Sequence, residues 1–260
     1  MATAISSAVR IVRATELRRS AAAGDTDAHR AGAPPPSYGL QDATGGRARA
    51  VAYNLPLDGA PIYQGLGALE SGWHYHNCEL QLAFITSGDI EVAYADGDWR
   101  RCRTGEILAI TGQMPHNVGR ASERYGLVEL TMPGAFGTTI CPPHPKGVPV
   151  AGLVLTDQQV RPCAAHGVAE YLTIPQVSRT AELRLVTGGD DVVETPPGGL
   201  TFTLTVAGRC DIEADGNHDW LSAFDMVIDD ARRGRSRLFN RSSDFRAYQV
   251  KLREHSGHKD

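Results

Sequence analysis

Gly72-Trp-His-Tyr-His-Asn-Cys-Glu-Leu-Gln81, followed by Gly88, is the most informative stretch of this 260-residue chain. Side chains alternate across a strand, so His74 and His76 project to one face, within reach of a single ion. Neutral imidazole nitrogens bind first-row divalent metals at ~2.0–2.2 Å, which makes a His-x-His pair on a strand a bidentate platform. Gln81 follows His76 after four intervening residues and an expected bulge or bend, as a third donor. The fourth is His116, at the end of Gly105-Glu-Ile-Leu-Ala-Ile-Thr-Gly-Gln-Met-Pro-His116, where a strand passes into a turn. Glu79 is the rival of Gln81, since it shares strand parity and carries charge. If Gln81 is the ligand, Glu79 is left as a supporting residue or a general base.

Outward from this stretch the chain reads as short strands. ARAVAYNL, LQLAFITSG, DIEVAYADG, GEILAITG and YGLVELTM lie between Ala48 and Met132. Each is rich in β-branched or aromatic residues and bounded by Gly, Asp or Pro. A second set follows a proline-rich segment (Pro133 to Pro149) that reads as an irregular linker: AEYLTIPQV, TAELRLVTG, LTFTLTVAG, CDIEADG, AFDMVIDD and FRAYQVKL. The two sets correspond, with ITSGDIEVAYADGDW matching TVAGRCDIEADGNHDW so that Gly88 pairs with Gly208 and Trp99 with Trp220. A repeat of about 120 residues is too long for a solenoid unit and suits a duplicated domain. The expected organisation is an N-terminal arm (1–44), a first barrel (45–135), a linker (136–160), a second barrel (161–254) and a polar tail (255–260).

The spacing resembles that of the cupin superfamily. The family's first motif runs glycine, His-x-His, an acidic residue, glycine, and here it falls on His74, His76, Gln81 and Gly88. The second starts at Gly105 and reaches the family's histidine at His116, with Thr111 where proline is usual, Gln113 where glycine is usual and Arg120 where asparagine is usual. The resemblance implies an all-β chain of two tandem cupin barrels (jelly-roll-like double-stranded β-helices), with one divalent metal on His74, His76, Gln81 and His116. Gln81 replaces the usual glutamate, and a neutral amide leaves the site one unit more positive, favouring an anionic substrate or stronger Lewis acidity. Aligned on Gly208, the second half carries Glu194 and Pro196 at the His-x-His positions and Thr201 opposite Gln81. That half is expected to hold no metal and to serve as scaffold or dimerisation surface.

Composition narrows the partners. The net charge of −4 suggests no basic face, which argues against nucleic acid. The apolar runs are far short of the ~20 residues a bilayer demands, and the N-terminal residues lack an apolar signal core. Five cysteines at scattered spacings, with no CxxC pair, read as reduced thiols in a cytoplasmic protein. A homodimer formed through barrel edges is expected, because an open edge strand calls for cover.

Trp73 and Tyr75 alternate with the histidines and face away from them, while Tyr53 and Tyr63 are candidates for the pocket wall. Glu129, a charge inside an apolar strand, is a candidate pocket residue, and Glu79 or Glu129 would manage protons. Three functional classes follow. First is an Fe(II)-dependent dioxygenase in which substrate oxygen and O2 share the metal (Mn, Ni or Zn being the other candidate ions). Second is a redox-neutral isomerase, cyclase or dehydratase using the metal as Lewis acid. Third is a non-catalytic ligand-binding module. In each the partner is a small, anionic, oxygen-rich molecule.

Overall fold

The structure is a computed structural model, and it describes residues 9–16, 44–53, 55, 70–95, 97–133, 137–143, 153–155, 181–195, 197–230, 232 and 234–252. The chain divides into two units, residues 15–159 and residues 1–14 with 160–260. Strands appear in chain order: β1 (Val9–Val12), β2 (Arg49–Tyr53), β3 (His74–His76), β4 (Leu80–Ser87), β5 (Asp89–Ala93), β6 (Trp99–Arg103), β7 (Ile107–Thr111), β8 (Asn117–Gly119), β9 (Gly126–Met132), β10 (Thr138–Ile140) and β11 (Leu153–Leu155). The remainder are β12 (Ala181–Gly189), β13 (Val193–Glu194), β14 (Leu200–Ala207), β15 (Arg209–Ala214), β16 (Asn217–Ser222), β17 (Met226–Asp230), β18 (Ser236–Phe239) and β19 (Arg241–Leu252).

In the first unit a five-stranded antiparallel sheet, ordered β11-β7-β4-β9-β2, is accompanied by the sheet β6-β5-β8 and the pair β10-β3. Side-chain alternation along β4, β7 and β9 places Ala83, Ile85, Leu108, Ile110 and Leu127 in one apolar cluster with Ile90, Val92 and Tyr94 from β5 and its turn. The second unit repeats the plan with sheets β1-β17-β14-β19-β12 and β13-β18-β15-β16. Its core gathers Val186, Val193, Ile212, Val227, Leu238 and Phe245.

The duplication extends to irregular details. Register slips between Ile85 and Ser87 where β4 meets β9, and between Thr205 and Ala207 where β14 meets β19. Gly88 (φ 63°) and Gly208 (φ 67°) make the turns that follow. A Cβ on Gly88 would stand 2.2 Å from Ser122 Oγ, and one on Gly208 would stand 2.6 Å from Ser242 Oγ. Those serines accept from the next backbone N–H, Asp89 and Arg209, at 3.0 Å in both units.

Three sequence expectations need correction. Val9–Val12, inside the span read as an arm, is a strand that extends the second unit's sheet beside β17, where Val9 and Val12 bury their side chains. The linker span contains β10 and β11, which occupy the proline-free pieces of that segment. The sequence reads Arg232, Arg233, Arg235, Arg237 and Arg241 as a solvated surface cluster, but Arg241 is buried, bonded to Thr187 O at 2.7 Å and paired with Asp191. The expected strand AEYLTIPQV lies outside the described residues. Among the described residues Cys78, Cys102, Cys141 and Cys210 form no disulfide, and burial pushes the Cys78 thiol up to about 11.

Candidate metal centre

The β3 backbone and the residue before β8 clasp one another. His74 N–H donates to His116 O at 3.0 Å, and His116 N–H donates to His74 O at 2.8 Å. This reciprocal pair brings two imidazoles from distant parts of the chain side by side. The turn after β7 is pinned beneath them, with Gly112 N–H on Glu79 O at 2.8 Å and Gln113 N–H on His76 O at 3.0 Å. Gly112 has to be glycine here, because a Cβ would fall 2.1 Å from the Cys78 carbonyl oxygen.

The three rings of His74, His76 and His116 converge. Centroid separations are 4.9 Å (His74–His76), 4.4 Å (His74–His116) and 5.3 Å (His76–His116). One nitrogen of each lies within 4.8 Å of the others, close enough for a shared ion. Their outer nitrogens are engaged. His74 Nδ1 lies 2.7 Å from Gly72 O, His116 Nδ1 lies 2.8 Å from Met114 O, and His76 Nδ1 lies 3.0 Å from Thr138 Oγ1. A ring whose Nδ1–H donates to a carbonyl keeps Nε2 unprotonated and aimed inward, which is how metal-binding histidines are oriented.

Two buried atoms belong to residues that line the same cavity. His116 Nε2 and Gln81 Oε1 have no protein hydrogen-bond partner among the described residues. A buried acceptor left unsatisfied costs about 1–3 kcal/mol. Both atoms are of the kind that donates a lone pair to a divalent cation, so the residues present fit a metal. Burial, with the neighbouring imidazoles, holds His116 down to about 3 and His76 down to about 4, so each stays neutral and able to ligate at ordinary pH.

The triad opens on a cavity of about 430 Å³ that is also lined by Gln81, Glu129, Arg49 and Tyr53. Burial pushes the Glu129 carboxyl above the usual carboxylate range, opposed by a hydrogen bond with Gln81 and by the charge of Arg49. Of the sequence-derived candidates, the structure therefore brings together His74, His76, Gln81, His116, Glu129 and Tyr53. Glu79 is exposed and outside the lining. Its parity with Gln81 does not translate into a shared face, because residues 77–79 form a bend between β3 and β4. Trp73 and Tyr75 are half-buried and lie outside the cavity wall, and Tyr63 lies outside the described residues.

Arg49 was missed by the sequence reading. Its signal was present, since Arg49 and Tyr53 share parity on one strand, but the position of that strand beside β9 is set by pairing with Thr131 and Leu127 far along the chain. In the second unit the hydrogen bond of Thr195 N–H to Ser236 O, at 3.0 Å, repeats that of His74 to His116. The counterparts of the first and last histidines are thus Thr195 and Ser236, whose hydroxyls meet at 2.7 Å. The equivalence falls on Thr195 and not on Glu194 because the connection to β14 is one residue shorter than that from His74 to β4. Among the described residues the His74, His76, His116 group is the metal-competent cluster.

Residues 65–130 match the Cupin_2 family, described as cupin domain. Residues 65–130 are thus a cupin domain, and the chain as a whole has the bicupin fold. A comparison with curated protein sequences gives no match. Among solved structures this bicupin is similar to a salicylate 1,2-dioxygenase from Pseudaminobacter salicylatoxidans, with 12% identity, a TM-score of 0.65 and coverage of 96% of this chain and 87% of that chain. Adducts of a salicylate 1,2-dioxygenase with gentisate give 14% identity and a TM-score of 0.62, covering 94% and 81% of the two chains. A Bacillus subtilis oxalate decarboxylase described with Mn(II) centres gives 12%, a TM-score of 0.56, and coverage of 84% and 72%. These likenesses establish the fold. No helix among the described residues is long and apolar enough to cross a membrane.

Proposed function

We propose that this bicupin is a metal-dependent enzyme that holds Fe(II) on His74, His76, His116 and Gln81 and uses O2 to oxidise a small anionic substrate. The observation that carries the reading is the inward convergence of three imidazoles, each tethered through Nδ1, beside the unsatisfied Gln81 Oε1. A bound Fe(II) would supply open coordination positions for substrate and O2 together with Lewis acidity. The chain's own residues do the rest. The backbone carbonyls of Gly72 and Met114 and the Thr138 hydroxyl fix ring orientation. Gln81 contributes an oxygen donor without charge, which leaves the centre more positive than a carboxylate would and favours an anion. Glu129, held toward its protonated form by burial, keeps a proton inside the cavity. The likeness in fold to a salicylate 1,2-dioxygenase supports this reading.

One observation favours a second reading. Glu129 is an acid–base group on the cavity wall that needs no oxidant, which suits a redox-neutral isomerase, cyclase or dehydratase. Metal analysis of purified protein and turnover with and without O2 separate the two. Iron with strictly O2-dependent turnover supports the oxygenase. Zn, Ni or Mn with unchanged anaerobic turnover supports the alternative. His76→Ala should lose the metal with the fold retained by circular dichroism, and stoichiometric metal in that variant would refute the ligand assignment.

A further inference from the structure

We infer that the cavity takes a carboxylate with an apolar body, the anion on Arg49 and the body against the wall made by Ile90, Leu108, Tyr125 and Leu127. This deepens the reading of the site given above and rests on it for the position of the metal.

The five-stranded sheet of the first unit presents its cavity face in successive rows. In the first row Ile110, Gln81, Thr131 and Arg49 stand in register across β7, β4, β9 and β2. Two residues along, the row is Leu108, Ala83 and Glu129. Two further along it is Ile85, Leu127 and Tyr53. Rows two residues apart are separated by roughly 6.6 Å, so Arg49 and Gln81 stand on the order of 13 Å of strand from Leu127. The cavity face thus changes from polar to apolar along the strands. Ile90 and Tyr125 join Leu108 and Leu127 in the unit's apolar cluster while also lining the cavity.

Among the described lining residues Arg49 carries the one guanidinium. A planar, permanently charged fork matches a carboxylate bidentately. A cavity of about 430 Å³ sits toward the lower end of the range of small-molecule sites, roughly 300–1,000 Å³. A small dianion with polar atoms at both ends would bring unsatisfied oxygens against the apolar wall, which is costly. A neutral hydrocarbon would fill that wall but bring no anionic group to Arg49. The ligand that satisfies both ends has one anionic group and a hydrocarbon remainder. Within the expectation of a small, oxygen-rich anion, this selects the anion and moves the oxygen atoms to one end.

The test is anaerobic binding to the full-length protein, read by calorimetry, with benzoate, benzamide and oxalate as probes. Benzoate should bind about tenfold or more tightly than either of the others. Arg49→Gln should reduce benzoate to the level of benzamide, leave benzamide unchanged and leave metal content unchanged. Arg49→Lys should recover part of the loss, and Ala83→Leu should weaken benzoate while sparing oxalate. Oxalate binding as tightly as benzoate, or Arg49→Gln leaving benzoate unaffected in a folded protein, would overturn the inference. So would an absence of benzoate binding to the wild type. Arg49-dependent benzoate binding in a protein that purifies without metal would sink the metal reading and leave this one standing.

Discussion

The Nδ1 of His76 lies 3.0 Å from the Oγ1 of Thr138, whereas His74 and His116 turn theirs to backbone carbonyls. Thr138 belongs to β10, a three-residue strand exposed along its whole length and held in register against β3. The orientation of one imidazole of the triad therefore depends on a side chain at the edge of the barrel. Replacing Thr138 by Val keeps the shape and removes the hydroxyl, and metal affinity should fall about 10–100-fold. Thr138→Ser should restore most of it. Competition with a chromophoric chelator reads both variants, and equal affinities in wild type and Thr138→Val would exclude the role.

Gln81→Glu puts a carboxylate beside Glu129, whose own carboxyl burial already disfavours as an anion. The metal-free variant should lose about 1–3 kcal/mol of stability from the crowded acid pair. Metal should then raise its melting temperature more than it raises that of the wild type, because a charged oxygen binds a cation more strongly than an amide does. Melting curves with and without metal check this. A metal-induced shift no larger than the wild type's would show that residue 81 is not a ligand.

In the second unit Arg184 is buried, with Nε donating to Gln249 Oε1 at 2.5 Å and a terminal nitrogen donating to Glu194 O at 2.9 Å. Gln249 Nε2 in turn donates to Thr203 Oγ1 at 2.9 Å. Arg184→Met retains bulk and strands the acceptors, at a cost of about 1–3 kcal/mol each. Chemical denaturation should register the loss while metal content stays at the wild-type level. A fall in bound metal would overturn the expectation that Arg184 acts on stability alone.

Asp229 accepts from Ser236 N–H at 2.8 Å and from its hydroxyl at 2.7 Å through Oδ2, while buried Oδ1 has no protein partner among the described residues. Burial raises its pKa. A carboxyl with a raised folded-state pKa contributes stability that is complete below the unfolded value and is lost as pH rises through the folded value. Wild-type stability should therefore decline on going upward through that window. Asp229→Asn keeps an acceptor for Ser236 and does not titrate, so its stability should be flatter over the same range. Parallel pH profiles for the two proteins would rule Asp229 out as the source.

The parts legible in the sequence were those governed by short-range geometry. His74 and His76 follow from strand alternation alone, and Gln81 and His116 follow from spacing to turns that sit where the glycines place them. Glu79 misled because alternation holds only within a continuous strand, and the chain bends between His76 and Leu80. Arg49 and the strand Val9–Val12 were hidden for the opposite reason. Each is positioned by a partner far away in the chain, Thr131 for the one and Met226–Asp229 for the other, and nothing local encodes that pairing. The one-residue offset that puts Thr195 opposite His74 was likewise invisible, since an alignment anchored on Gly208 carries no record of loop length.

Arg184 links strands of the second unit that correspond to β2, β9 and β3 of the first, three strands that contribute Arg49, Glu129, His74 and His76 to the cavity lining. A guanidinium is a cation that neither dissociates nor changes valence. On the metal reading proposed above, the first unit would take its positive centre from solution, while the second carries one in the polypeptide. On that reading, starvation for the ion should leave the second unit's architecture untouched.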